Sequence, residues 1–319
     1  MRYRQLGDSG LAVSVVGLGC NNIGRKLDIE ATRAVVDAAF DSGVTFFDVA
    51  DIYGGYRGQS EDILGEVLAG RRDEIVLATK FGMDMQGANG ADWGARGSRR
   101  YVRRAVEASL RRLRTDYLDL YQYHEPDGVT PIEETLAALD ELVVEGKVRY
   151  LGSSNLAAWQ VVEAEYVARS SGGTRFVSAQ NEYSLLRRDV ETELVPAGDA
   201  YGVGVLPYFP LANGLLTGKY RRGEAPVAGS RLADRKPELH ADAPWDLIEA
   251  LAAFAEKRDL TLLHVAIGGL MAQPTVASVI AGATSADQVR ANAEAGDWEP
   301  TEDDLAELDE TVPPPPTRR

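Results

Sequence analysis

Cysteine is nearly absent from this 319-residue chain: Cys20 stands alone, which excludes an internal disulfide framework and fits a reducing compartment. Histidine is almost as scarce, and the three present, at 124, 240 and 264, show no metal-ligand spacing. No run of about 18 apolar residues could span a bilayer. The start, Met-Arg-Tyr-Arg-Gln-Leu, lacks the apolar core of a secretory leader, so the cytoplasm is the expected location. Positive charge is also in deficit. Against 49 Asp and Glu there are 34 Lys and Arg, a formal net charge of -15, which argues against nucleic acid or an anionic membrane as partner. Eight arginines between Arg96 and Arg114 are a local exception, and with acid in such excess a solvated helix face paired with carboxylates is the expected reading.

What the chain does have is alternation. Runs rich in Val, Ile, Phe and Tyr near 13–17, 45–48, 75–79, 118–123, 148–153, 176–180, 203–207 and 276–281 predict eight strands, separated by segments of helical period. The clearest of these is 131–145, where Ile132, Leu136, Leu139 and Leu142 share a face. Thr130 with Glu133 predicts a capping box there, with Pro131 at the first helical position and Gly146 closing the helix. Strict β/α alternation implies a parallel sheet with right-handed crossovers, and eight units imply closure into a (β/α)8 TIM barrel. An open doubly wound sheet is the alternative. It is disfavoured because "GLGCNNIG" places its third glycine too late for a dinucleotide fingerprint. Likewise "GLLTGKY" is one residue short of a phosphate-binding P-loop and has Tyr220 where Ser or Thr should bind magnesium.

Neither linker nor composition break divides the chain, so one domain over 1–311 is expected, followed by a Pro-rich, disordered tail at 312–319. "YRQLGDSGLAV" predicts an N-terminal β-hairpin capping one end of the barrel. Long connections at 82–98 and 208–243 fall on the strand-exit side, the face where barrels of this type carry their sites.

Three consecutive strands end in polar groups that would converge there. "TFFDVADIYG" delivers Asp48 and, just beyond, Tyr53; "IVLATKFG" ends in Lys80; "LDLYQYHEPD" ends in His124. Each alone has an ordinary structural reading, as a turn cap, a packing residue, a snorkelling amine or a satisfied core histidine. Together they would be costly to desolvate without purpose. A buried ammonium beside a phenol stabilises the phenolate and is expected to lower its pKa, and a carboxylate keeps that ammonium charged. A neutral imidazole next to the phenol can hold a substrate carbonyl. Nothing in the set attacks covalently, and no Gly-x-Ser-x-Gly elbow is present. The attacking species is therefore expected from a cofactor, most simply a hydride from a nicotinamide.

At these residues the sequence resembles the aldo-keto reductase family over nearly its whole length. The motifs "FFDVADIYG", "ATKFG" and "YQYHEPD" put that family's catalytic tetrad on Asp48, Tyr53, Lys80 and His124. The resemblance implies NAD(P)H-dependent reduction of an aldehyde or ketone, possible sugars included. It also implies a nucleotide groove. "GSSNL" and "AQNEYS" resemble the segments holding the carboxamide, here Ser154, Asn155 and Gln180, with Gly19, Cys20 and Asp48 beside them. "YFPLANGLLTGKY" resembles the segment that stacks on the nicotinamide through Tyr208, with Phe209, Leu211, Gly214 and Lys219 following and Arg231 further on. Phe209 stands where serine is usual. "AGATSADQVRANAEA" resembles the adenosine segment, implicating Gly282, Thr284, Ser285, Gln288 and Asn292. Many NADPH-preferring relatives carry Lys or Arg in that last segment, whereas this chain has Gly282, Thr284 and Gln288, leaving Arg290 or Arg231 to meet a 2′-phosphate. NADP(H) is the favoured cofactor and NAD(H) the alternative. Asn21, Tyr56, Phe81, Trp93 and Glu125 are expected to line the pocket for a small-molecule carbonyl or sugar substrate. "YQYHEPD" and the long 208–243 segment are more similar to the branch containing potassium-channel β subunits and bacterial sugar or general aldehyde reductases. A nucleotide-binding regulatory protein with weak turnover is thus the alternative function.

Overall fold

Alternation along the strands sorts the apolar residues into two layers, one inside a ring of strands and one between strands and helices. A computed structural model describes residues 1–316. A short antiparallel hairpin, β1 (Tyr3–Gln5) with β2 (Ala12–Ser14), precedes β3 (Val16–Gly19), β4 (Phe46–Asp48), β5 (Val76–Phe81), β6 (Leu118–Tyr123), β7 (Val148–Ser154), β8 (Phe176–Glu182), β9 (Gly204–Tyr208) and β10 (Val279–Gly282). The last eight form one parallel sheet in the order β10-β3-β4-β5-β6-β7-β8-β9. A bridge between Val205 and Val276 brings β9 against the segment entering β10, which nearly closes the ring. This is the expected TIM-barrel architecture with its N-terminal hairpin.

Helices cross between successive strands: α1 (Ile29–Asp41), α2 (Gln59–Val67), α3 (Arg99–Leu113), α4 (Ile132–Val144), α5 (Ala158–Ser171) and α6 (Leu194–Tyr201). The connection from β9 to β10 carries α7 (Arg231–Asp234), α8 (Pro237–Ala241), α9 (Trp245–Glu256) and α10 (Leu262–Met271), and α11 (Ala286–Ala295) and α12 (Glu302–Thr311) follow β10. Among the described residues no helix is long and apolar enough to cross a membrane. Of the tail, Thr317–Arg319 lie outside the described residues, and Pro313–Pro316 adopt neither helix nor strand.

The first predicted strand, 13–17, proves to be two. Ser14 explains the break: its hydroxyl donates to the Val16 carbonyl at 2.7 Å and accepts from the amides of Thr45 and Phe46 at 3.1 and 3.2 Å. A side chain thus takes over ladder bonds that a continuous strand would have made. The hairpin then closes the lower end of the barrel. Gly7 has φ +56°, and a Cβ there would lie 2.4 Å from the Gly202 carbonyl oxygen, so only glycine allows this approach. Leu6, Leu11 and Val13 pack against Phe46, Ala78, Leu120, Leu206 and Ile280 inside the ring. Each Leu, Val, Phe or Ile side chain buried in this way contributes about 1.5–3 kcal/mol.

The capping box expected at Thr130 does not form. Pro131 is the N-cap of α4 and carries no side-chain cap bond. Asp127 instead organises the turn before the helix: its carboxylate accepts from the Val129 and Thr130 amides and from the Thr130 hydroxyl. The Thr130 hydroxyl is drawn onto this charged acceptor three residues upstream, which makes the stronger bond. The arginine-rich α3 pairs with acids as expected, Arg99 and Arg103 with Glu141, Arg103 with Glu145, and Arg114 with Glu66.

Candidate active site

One step of two residues along the inward face leads from the apolar plug to a layer of buried polar side chains. Lys80 and Gln122 sit opposite each other on β5 and β6. The Lys80 ammonium donates to Asp48 Oδ2 at 2.5 Å and to the Val49 carbonyl at 3.1 Å. The other oxygen, Asp48 Oδ1, accepts from Gln122 Nε2 at 3.0 Å and Gln180 Nε2 at 2.9 Å. The carboxylate is therefore held by three side-chain donors in a region where Lys80 is 0% and Asp48 3% exposed. Burial alone would lower the Lys80 ammonium, but Asp48 and Tyr53 outweigh it and leave it above its ordinary value. Gln122 was not foreseen. Its signal was present, since it lies two residues before His124 on the same inward face of a strand.

Tyr53 sits in the turn after β4, its amide bonded to the Ala50 carbonyl. The Lys80 nitrogen is 5.2 Å from the centroid of its ring, and the His124 ring meets it edge-on at 6.1 Å. The four expected residues are therefore brought together. The expected lowering of the phenol is not the net result: burial raises the Tyr53 pKa, and Lys80 offsets that only in part. The phenol is thus protonated at neutral pH, as a proton donor must be, with an ammonium in place to receive the phenolate. Burial, and then Lys80, push the His124 imidazole well below its ordinary value. It is neutral, and its Nδ1 is buried without a partner among the described residues.

Around this layer lie the residues expected to bind a nucleotide. Asn155, at φ +58°, donates from Nδ2 to the His124 carbonyl at 3.0 Å and to the Ser154 hydroxyl at 3.2 Å. Its Oδ1 accepts from the Tyr208 hydroxyl at 2.8 Å, so one amide ties the end of β6 to the end of β9. Phe209 packs edge-on against Tyr208 at 5.1 Å, with Arg231 at 5.3 Å and Lys236 at 5.8 Å from its ring centroid. Leu211 and Gly214 belong to the same irregular segment, and a Cβ on Gly214 would lie 3.7 Å from the Lys219 ammonium. Burial and then Arg235 and Arg25 lower the Arg231 guanidinium. Among the described residues no carboxylate lies within ion-pair distance of Arg231, and its side-chain bond is to Asn213 at 3.5 Å. Cations gathered without a counter-charge fit an anionic group such as a dinucleotide phosphate.

Gly282 pairs with Gly19 at the strand ends, and beyond it Ser285 caps α11 by accepting from the Gln288 amide. Gln288 Oε1 accepts from the Thr284 amide and hydroxyl at 2.8 and 3.1 Å, and Asn292 is buried on the same helix. Arg290 is engaged by Asp287 at 3.1 Å. Cys20 is buried, and its amide donates to the Asp48 carbonyl, so it meets the site through Asp48.

The residues expected to line a substrate pocket are dispersed. Phe81 requires a correction: pointing opposite to Lys80, it is wholly buried in the helix-facing layer, stacked on Tyr121 at 4.7 Å and Tyr123 at 5.2 Å. Tyr56 is exposed, with its hydroxyl on Asp62 at 3.1 Å. Trp93 is exposed beside the Arg100 guanidinium at 4.2 Å, and Glu125 is exposed at the end of β6. Asn21 has a buried Oδ1 with no partner among the described residues.

Comparison with known proteins gives a consistent answer. The model of the aldo/keto reductase family matches residues 15–313. The uncharacterized oxidoreductase YrpG of Bacillus subtilis is 38% identical over 298 residues, covering 91% of this chain and 89% of that protein. A probable voltage-gated potassium channel subunit beta of Oryza sativa subsp. japonica is 36% identical over 307 residues, covering 93% and 92%. The L-glyceraldehyde 3-phosphate reductase of Escherichia coli is 33% identical over 306 residues, covering 92% and 87%.

Proposed function

Because this chain belongs to the aldo/keto reductase family, we propose that it reduces an aldehyde or ketone to the alcohol, with Tyr53 as the proton donor. The observation that carries this reading is the Asp48–Lys80 pair, bonded at 2.5 Å, beneath a protonated Tyr53 and beside a neutral His124. When bound, a nicotinamide dinucleotide supplies the hydride. The chain supplies the rest. His124, uncharged, donates a hydrogen bond to the carbonyl oxygen and orients it. Tyr53 gives its proton to that oxygen, and Lys80 stabilises the phenolate left behind. Asp48, fixed by Gln122 and Gln180, keeps Lys80 charged throughout. A general acid so placed contributes about 10²- to 10⁴-fold in rate.

NADP(H) is the favoured cofactor, with Arg231 as the open cation for a phosphate, and NAD(H) is the alternative because Arg290 is already engaged. The potassium-channel relatives support a second reading, a nucleotide-binding regulatory protein with weak turnover. Intact tetrad geometry favours the enzyme. The test is to mix the protein with NADPH or NADH and a panel of aldehydes and ketones, glyceraldehyde 3-phosphate included, and follow absorbance of the reduced cofactor. Oxidation that depends on carbonyl supports the reductase. Tight nucleotide binding with no turnover on any carbonyl supports the regulatory protein.

A further inference from the structure

A second buried polar group lies behind the tetrad, on the other side of the barrel wall. Thr79 faces the helices, as its neighbour Lys80 faces the barrel interior. The Thr79 hydroxyl donates to Glu61 Oε1 at 2.6 Å, and Glu61 Oε2 accepts from Arg112 Nε at 2.7 Å. Arg112 Nη1 donates to Asn89 Oδ1 at 3.1 Å, and Asn89 Nδ2 donates to Asp51 Oδ2 at 3.0 Å. The Asp51 amide then donates to the carbonyl of Lys80 at 3.3 Å. These bonds form a closed circuit that begins and ends at Thr79–Lys80.

The circuit joins five pieces of chain: the turn that carries Tyr53, α2, α3, the 82–98 connection and β5. Asp51 and Glu61 are both 0% exposed. Burying two carboxylates against one guanidinium is costly, and apolar residues would join the same helices at lower cost. Burial and then the Glu61 charge hold Asp51 well above the usual carboxylate range, while Arg112 Nε lies 2.7 Å from Glu61 Oε2. The helix packing is shaped around this arginine. At Gly58, φ +89°, a Cβ would lie 2.6 Å from Arg112 Cδ, and at Gly65 one would lie 2.4 Å from the Arg112 carbonyl oxygen.

We propose that Arg112, with Glu61, Asn89 and Asp51, forms a positioning frame that ties the Tyr53 turn to the Lys80 strand from outside the barrel. Among the described residues none of the four hydrogen-bonds to a tetrad side chain. They act on turnover by fixing the Tyr53–Lys80 separation, and the proposal rests on the reductase reading for its kinetic consequence. The phenol itself feels Lys80, Asp48 and Cys20, has the His124 ring against it, and lies within electrostatic reach of Tyr208 and Arg231. A frame that slackens moves Lys80 away from the phenol and raises its pKa further.

The test compares Asn89→Ala, Thr79→Val, Arg112→Lys and Arg112→Leu with the full-length wild type, and uses Arg104→Ala on the same helix as a control outside the circuit. Thermal unfolding and NADPH fluorescence titration check folding and cofactor binding; kcat and KM are measured on one aldehyde. Tyrosine ring-carbon NMR, with Tyr53→Phe assigning the resonance, follows the phenol directly. The expected result is a fold with wild-type NADPH affinity, KM little changed, kcat lower by roughly 10- to 100-fold, and a Tyr53 titration displaced upward. Arg112→Lys, which keeps charge without the fork, should fall between wild type and Arg112→Leu. Folded variants with unchanged kcat and unchanged Tyr53 titration would overturn the proposal, as would losses matched by NADPH affinity. If Arg112→Lys does not fold, Asn89→Ala and Thr79→Val decide alone. Should the wild type reduce no carbonyl, the reductase reading fails, while the NMR titration still decides the frame.

Discussion

The two ends of the barrel interior use the same strands and the same inward face, and differ within one two-residue step. Phe46 is followed by Asp48, Ala78 by Lys80, Leu120 by Gln122 and Ser178 by Gln180. Both ends are buried. The lower is sealed by the hairpin's Leu6, Leu11 and Val13, and packs as a core packs. The upper holds an ion pair whose carboxylate is saturated by glutamines from two further strands. Burial therefore does not separate structure from chemistry here. What separates them is whether the buried atoms are satisfied by one another while leaving a phenol and an imidazole facing outward.

The difference between the ends can be broken first at the top. Tyr53→Phe should lower kcat by about 10²- to 10⁴-fold with the unfolding midpoint and cofactor affinity unchanged, as read by steady-state kinetics and fluorescence titration. Lys80→Met should lose activity as well as stability, because it strands Asp48 as an uncompensated buried charge; breaking such pairs costs about 3–5 kcal/mol, which urea unfolding would measure. At the lower end, Leu120→Ala should cost about 2–5 kcal/mol in the same assay and leave kcat per folded molecule intact. Equal loss of kcat there would erase the distinction between the ends.

Gln180→Leu sharpens the contrast more gently. It removes one of two donors to Asp48 Oδ1 and should cost about 1–3 kcal/mol. The smallest effect is a pH slope. The folded-state pKa of His124 is depressed below its ordinary 6.5, so the unfolded chain takes up this proton first as pH falls. Stability from this group is complete above 6.5 and declines as pH falls from there toward the folded value. His124→Asn should flatten that part of the urea midpoint profile.

Much of this was legible in the sequence, for reasons the residues make plain. A strand ending in His-Glu-Pro-Asp, or an Asp-Val-Ala-Asp-Ile-Tyr turn, departs so far from an apolar run that alternation puts Asp48, Lys80 and His124 on the inner face, with Tyr53 in the turn just beyond Asp48. Local hydrogen-bond competition was harder to read. Ser14 ended one strand and Asp127 displaced Thr130 as the anchor before α4, and either outcome depends on where a neighbouring backbone passes. Phe81 was misplaced although the same two-residue rule that puts Lys80 inside puts Phe81 outside. The circuit through Arg112 was invisible because it joins residues up to 51 apart that share no motif. The net direction at Tyr53 was missed because a sequence shows the nearby ammonium but not the extent of burial.

The most direct measurement is a single turnover with NADPH deuterated at the transferable C4 position, run with the wild type and with Tyr53→Phe, both saturated with cofactor. Deuterium on the carbinol carbon in the wild type, and its near-absence in a Tyr53→Phe protein that still binds NADPH, is the predicted result. Transfer at the wild-type rate without the Tyr53 hydroxyl would contradict the assignment of the upper end of the barrel as the seat of the chemistry.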